Sequence, residues 1–133
     1  MSLVFVDTSA WARVRQATIG ARIAEAIEAN LVVIAAPVSL ELLRSARSAK
    51  ELAELAQEYD ALHQVALTSE VVGRARRVQA MLAARGHHRG PSPVDLLAAA
   101  AAEAVNAEVW HCDRHFELIA TVTGQPQTRL DQD

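Results

Sequence analysis

The chain has 133 residues, about half of them apolar, and its 16 acidic against 13 basic side chains give a net charge of −3. That length suits one domain with a sizeable core, and no apolar run approaches the roughly 20 residues needed to cross a bilayer. A single cysteine, Cys112, excludes an internal disulfide and a cysteine metal cluster.

The first residues hold neither a basic region nor a long apolar segment with a cleavage site, so the expected compartment is the cytoplasm, with no membrane partner. A negative net charge argues against a nucleic-acid surface built from Lys and Arg, unless the acids are concentrated in one place. Lys50 is the only lysine. The arginine bias suits bidentate contacts to phosphate, although base composition alone also produces it.

Leu3-Val4-Phe5-Val6 is a short apolar run with β-branched and aromatic members, which predicts a strand covered on both faces, as in parallel sheets. Asp7 falls at its carboxyl end, the edge where open α/β sheets bind ligands, and Thr8 or Ser9 follows as a helix cap. Ile19, Ile23, Ala26 and Ile27 then share one helical face, and Asn30 stops that helix. Leu31 to Ala35 is a second buried strand, and Pro37 suits the first turn of a helix carrying Glu41. Leu40 and Leu43 are expected to mark the buried side of that helix. Glu41 then sits beside its apolar stripe, above the same strand edge as Asp7; its ordinary role would be a pair with Arg44.

Leu52, Leu55, Tyr59 and Leu62 repeat at helical spacing, as do Val71, Ala75, Val78 and Leu82, and the two helices are expected to form a hairpin arm. Gln64 to Leu67 between them is a short strand candidate. Arg74, Arg76 and Arg77 line an outer face, solvated or a path for phosphates. The stretch from Gly86 to Pro93 is the clearest loop, with His87 and His88 expected in solvent. Ser92 and Asp95 have capping-box spacing at the start of a helix whose five consecutive alanines suit close packing against the sheet or against a second copy. Glu108 to Cys112 forms another strand ending in a carboxylate, Asp113, followed by a helix with Phe116, Ile119 and Ala120 inward and Glu117 one turn along. Residues 125–133 show no periodicity and are expected to be partly disordered.

Each carboxylate alone has an ordinary explanation as a cap or surface group; their joint placement does not. Asp7 and Asp113 end strands and Glu41 begins a helix, so a parallel sheet brings these three to one edge, while spacing alone does not place Asp95. Gathered carboxylates raise one another's pKa, so the folded protein either protonates some or recruits a cation. Oxygen ligands without organised Cys or His favour Mg²⁺ or Mn²⁺. Such an ion acidifies water and clamps the oxygens of a phosphodiester, and the chemistry implied is phosphodiester hydrolysis.

The ordered series Val6-Asp7-Thr8-Ser9-Ala10-Trp11, Glu41-Leu42-Leu43-Arg44, Pro93-Val94-Asp95-Leu96-Leu97-Ala98-Ala99 and Cys112-Asp113-Arg114-His115-Phe116 resembles the PIN domain of VapC-type toxins. The resemblance covers nearly the whole chain. It implies one domain over residues 1–133, a three-layer α/β/α sandwich with a mainly parallel sheet, and a Mg²⁺- or Mn²⁺-dependent endoribonuclease. It also implies a homodimer and inhibition by a cognate VapB-type antitoxin whose tail enters the acidic groove. The family's metal-binding and catalytic acids carry over to Asp7, Glu41, Asp95 and Asp113, with Ser9 as the small hydroxyl residue and Glu117 as an auxiliary acid.

His111 departs from the pattern, standing where many members have Thr or Ser. It either hydrogen-bonds a ligand or the scissile phosphate, or is a strand-end histidine satisfied by backbone. Arg13, Arg15, Arg44 and Arg47 lie near the same edge and are candidates to hold RNA phosphates. Two rival phosphoryl-transfer folds fit poorly. A haloacid-dehalogenase type needs a second Asp where Ser9 stands, and a receiver domain needs a late Lys. A catalytically weak module that binds RNA or an antitoxin is the alternative.

Overall fold

The computed structural model describes residues 2–132. Strand β1 (Val4–Val6) leads through α1 (Thr8–Trp11) and α2 (Ala17–Glu28) to β2 (Val32–Ala35). Helices α3 (Ala36–Leu43) and α4 (Ala49–Asp60) precede β3 (His63–Val65), and α5 (Ser69–Ala83) and α6 (Pro93–Ala104) precede β4 (Glu108–His111). Helix α7 (Arg114–Thr123) and β5 (Gln127–Arg129) complete the order. The five strands form one sheet in the order β3-β2-β1-β4-β5, with every pairing parallel. Chain order reverses between β1 and β4, so a crevice opens at their carboxyl ends.

Alternation along β1 sends its side chains to opposite faces. Phe5, with Val33 and Val109, packs against residues of α5, α6 and α7; Val4 and Val6, with Val32, pack against Ile19, Ile23 and Ala26 of α2. Helices therefore cover both faces of the sheet, as the three-layer expectation requires. The alanines Ala98 to Ala102 of α6 are all buried within the protein. Their small side chains let α6 lie close to the sheet, which leaves this stripe no surface for a second copy. No helix among the described residues is long and apolar enough to cross a membrane.

Four local expectations need correction. The α4 and α5 helices do not form a hairpin arm: β3 between them joins the sheet edge beside β2, and α5 buries Val71, Ala75, Val78 and Leu82 against the core, whereas α4 buries none of its residues. On α3 the inward residue is Val38, supported by Leu42, and Leu40 is 65% exposed. Ile27 of α2 also points outward. Residues 127–129, expected to be irregular, form β5, because the open edge of β4 supplies backbone partners that a polar segment accepts as readily as an apolar one. Asp133 lies outside the described residues.

Candidate metal centre

The site grows from the junction of β1 and β4. Val6 pairs with Trp110, and the Asp7 N–H donates to the Trp110 carbonyl at 2.9 Å, so both strands end side by side. Asp7 caps α1, its Oδ2 accepting from the Ser9 N–H at 3.0 Å and from the Ser9 hydroxyl at 2.8 Å. The same hydroxyl oxygen accepts from the Cys112 N–H at 2.9 Å. Ser9 thus ties the turn after β1 to the turn after β4, and through it Asp7 to the segment carrying Asp113.

Asp7 is only 3% exposed. Its second oxygen, Oδ1, is buried without a hydrogen-bond partner among the described residues, as is the neighbouring Thr8 hydroxyl. Burial raises the Asp7 carboxyl pKa above its ordinary 3.8; the Ser9 hydrogen bonds oppose this, and the nearby Asp95 charge adds to it. A carboxylate that capping alone explained would have both oxygens satisfied or in water.

Asp95 completes a capping box at the start of α6: the Ser92 N–H donates to Asp95 Oδ2 at 2.9 Å, and the Asp95 N–H donates to the Ser92 hydroxyl at 3.1 Å. The capping role and the site role therefore coexist on one side chain. Asp113 caps α7, its Oδ1 accepting from the His115 N–H at 2.9 Å. Asp95, Asp113 and His115 each bring a ligand atom within 4.8 Å of the others, a spacing that one cation can bridge. His115 Nδ1 stands 3.3 Å from both Asp95 Oδ2 and Asp113 Oδ1.

His115 escaped the sequence reading. Two residues beyond Asp113 it reads as an ordinary first-turn residue, and only the approach of the α7 start to the α6 start directs its ring at Asp95. The available signal was an Asp-x-His spacing at a strand end, which is weak alone.

Glu41 is not drawn into this cluster by any hydrogen bond or ion pair among the described residues, nor does it pair with Arg44. It is half-buried on α3, a helix that touches both α1 and α6. Glu117 is exposed, and the Arg129 guanidinium holds it at 3.0 Å. Of the four arginines, Arg13 donates to the Cys112 carbonyl at 3.4 Å, beside the site, and lies 3.9 Å from Asp131. Arg15 and Arg44 are exposed, and Arg47 pairs with Glu51 at 3.5 Å.

The surroundings of His111 bear on both alternatives for it. The ring is fully buried. Its Nδ1 accepts the Asp113 N–H at 3.1 Å, which assigns the proton to Nε2, where it is donated to the Gln127 side-chain carbonyl of β5. Both nitrogens are engaged within the protein. His111 fixes the backbone that presents Asp113.

The divalent ion inferred from sequence fits these residues. The donor set is carboxylate oxygen with one imidazole, and the orphaned buried oxygen of Asp7 sits beside the Asp95 charge, the environment in which a cation removes an unfavourable burial.

Comparison with known proteins agrees with the fold. The PIN domain family matches residues 4–122. Ribonuclease VapC18 of Mycobacterium tuberculosis is 41% identical over 123 residues, covering 91% of this chain and 90% of its own length. Ribonuclease VapC51 of the same organism is 36% identical over 121 residues, covering 91% and 88%. Among solved structures, a DNA-bound VapBC from Salmonella typhimurium superposes with a TM-score of 0.77 at 19% identity, over 98% of this chain and 99% of the other.

Proposed function

The chain belongs to the PIN-domain family, among ribonucleases of the VapC type, and from that premise we propose that its carboxylate cluster hydrolyses RNA with the help of Mg²⁺ or Mn²⁺. It is an endoribonuclease and the toxin component of a toxin–antitoxin pair. The observation that carries the metal reading is the meeting of Asp95 and Asp113 within the reach of one ion, next to a buried Asp7 oxygen with no partner.

In this reading Asp7, Asp95 and Asp113 hold the ion, and Glu41 completes the acidic rim from α3. A bound divalent ion lowers the pKa of water and neutralises charge that develops on phosphate oxygens. Ser9 fixes Asp7 Oδ2 through two donors, which leaves Oδ1 free of it. Arg13, held near the Cys112 turn, is the arginine best placed to meet a substrate phosphate; Arg15, Arg44 and Arg47 extend the same role over the rim. Glu117, paired with Arg129, lines a pocket together with His115 and serves there as an auxiliary acid. We assign the protein a cytoplasmic setting, a homodimeric state and a cognate VapB-type antitoxin, the last because its fold neighbours include toxin–antitoxin complexes.

The test is cleavage of RNA by purified, antitoxin-free protein. Cleavage is expected with Mg²⁺ or Mn²⁺, to stop on chelation, and to fall about a hundredfold or more in Asp7→Asn. Cleavage unaffected by chelator would remove the ion from the reaction. An ion-binding protein that cuts no cellular RNA would instead be a binding module that keeps the fold.

A further inference from the structure

We infer that His115 is a metal ligand in this protein, its Nδ1 joining Asp95 and Asp113 so that the centre is a mixed nitrogen and oxygen site that prefers a first-row transition ion to Mg²⁺. This rests on the reading of the acidic cluster as a metal centre and adds to it the ligand that sets ion choice.

Three observations carry it. The first is distance: His115 Nδ1 is 3.3 Å from a carboxylate oxygen of each aspartate. Neighbouring ligands around a six-coordinate ion with bonds of about 2.1 Å are about 3 Å apart, so His115 Nδ1 stands from each carboxylate oxygen at nearly the separation of adjacent ligands in such a shell.

The second is orientation. The backbone of His115 is fixed by its N–H bond to Asp113 Oδ1, and a Cβ placed on Gly90 would come 3.9 Å from His115 Cδ2. The 86–93 loop therefore backs the carbon edge of the ring while Nδ1 points at the carboxylates.

The third is charge. Asp95 and Asp113 meet at His115, and the Asp95 charge also acts on Asp7, whose Oδ1 is buried and unpartnered among the described residues. A lone imidazolium neutralises one charge of three. A divalent ion bound by a neutral imidazole balances the pocket more fully. Mg²⁺ keeps oxygen ligands and dehydrates reluctantly, whereas imidazole suits the later first-row ions, so the nitrogen shifts preference away from Mg²⁺.

The probe is Mn²⁺ itself, bound to the full chain and read by electron paramagnetic resonance. Pulsed measurement is expected to detect hyperfine coupling to an imidazole ¹⁴N in the wild type. His115→Asp, which keeps an oxygen ligand, is expected to retain bound Mn²⁺, to lose the coupling, and to lower the preference for Mn²⁺ over Mg²⁺ by about tenfold. His111 is no alternative source, because both its nitrogens are engaged. Bound Mn²⁺ without ¹⁴N coupling, or coupling that persists in His115→Asp, overturns the inference while leaving the metal centre standing. Failure of the wild type to bind Mn²⁺ overturns both.

Discussion

Asp7 spends its two oxygens differently. One is held by two Ser9 donors and the other is buried with no partner among the described residues. Its raised pKa, caused chiefly by burial, has a definite sign in stability. Between the unfolded value of 3.8 and the higher folded value, the folded state binds the proton more tightly than the unfolded chain does. Stability from this group therefore increases as pH falls through the folded value, and its ionisation penalises the fold at neutral pH. In metal-free protein, Asp7→Asn removes that penalty. Its stability relative to wild type is expected to be greatest near neutral pH and to shrink on acidification, as measured by thermal melts across the range. A difference that stays flat with pH would show that Asp7 is not strained by its charge.

At the scale of elements, the junction of β4 and α7 depends on one histidine. His111 links the Asp113 N–H to Gln127 of β5 and lies against Phe116 with ring centroids 5.2 Å apart. His111→Ala leaves a cavity and two part-buried groups without partners, so it is expected to cost about 2–4 kcal/mol in urea denaturation. A cost below about 0.5 kcal/mol, the level of an ordinary surface change, would contradict this role.

The same scale shows what the sequence made legible. The strands β1 and β2 announce themselves as apolar runs because both faces are covered, and α6 announces its start by the Ser92 and Asp95 capping box. The strands β3 and β5, His63-Gln64-Val65 and Gln127-Thr128-Arg129, carry almost no apolar signal. They are edge strands recruited by backbone pairing with a neighbour that local sequence cannot reveal. The outward turn of Leu40 and the inward turn of His115 fail for a related reason: each depends on which neighbouring helix arrives. For Leu40, Val38 took the inward face; for His115, the start of α6 came close to that of α7.

Over the whole molecule, the parallel sheet gathers charge. Asp95 and Asp113 are far apart in sequence, yet the packing of the α6 and α7 starts brings them within reach of one another, and the Asp95 charge acts on Asp7 at the end of β1. That concentration explains how a chain of net charge −3 can act on RNA, since the rest of its acids and arginines nearly cancel. The positions of Asp7, Asp113 and the common sheet edge were readable from strand ends. That of Asp95 was not, because it needs the packing of α6, and Glu41 sits on a helix that only approaches the cluster.

The most direct measurement is a calorimetric titration of Mn²⁺ into metal-free protein, repeated for Asp7→Asn, Asp95→Asn and Asp113→Asn. If carboxylates from three separate elements share one ion, each variant should bind at least about tenfold more weakly than wild type while remaining folded. Three folded variants that bind Mn²⁺ as tightly as the wild type would show that the carboxylates do not form a common centre.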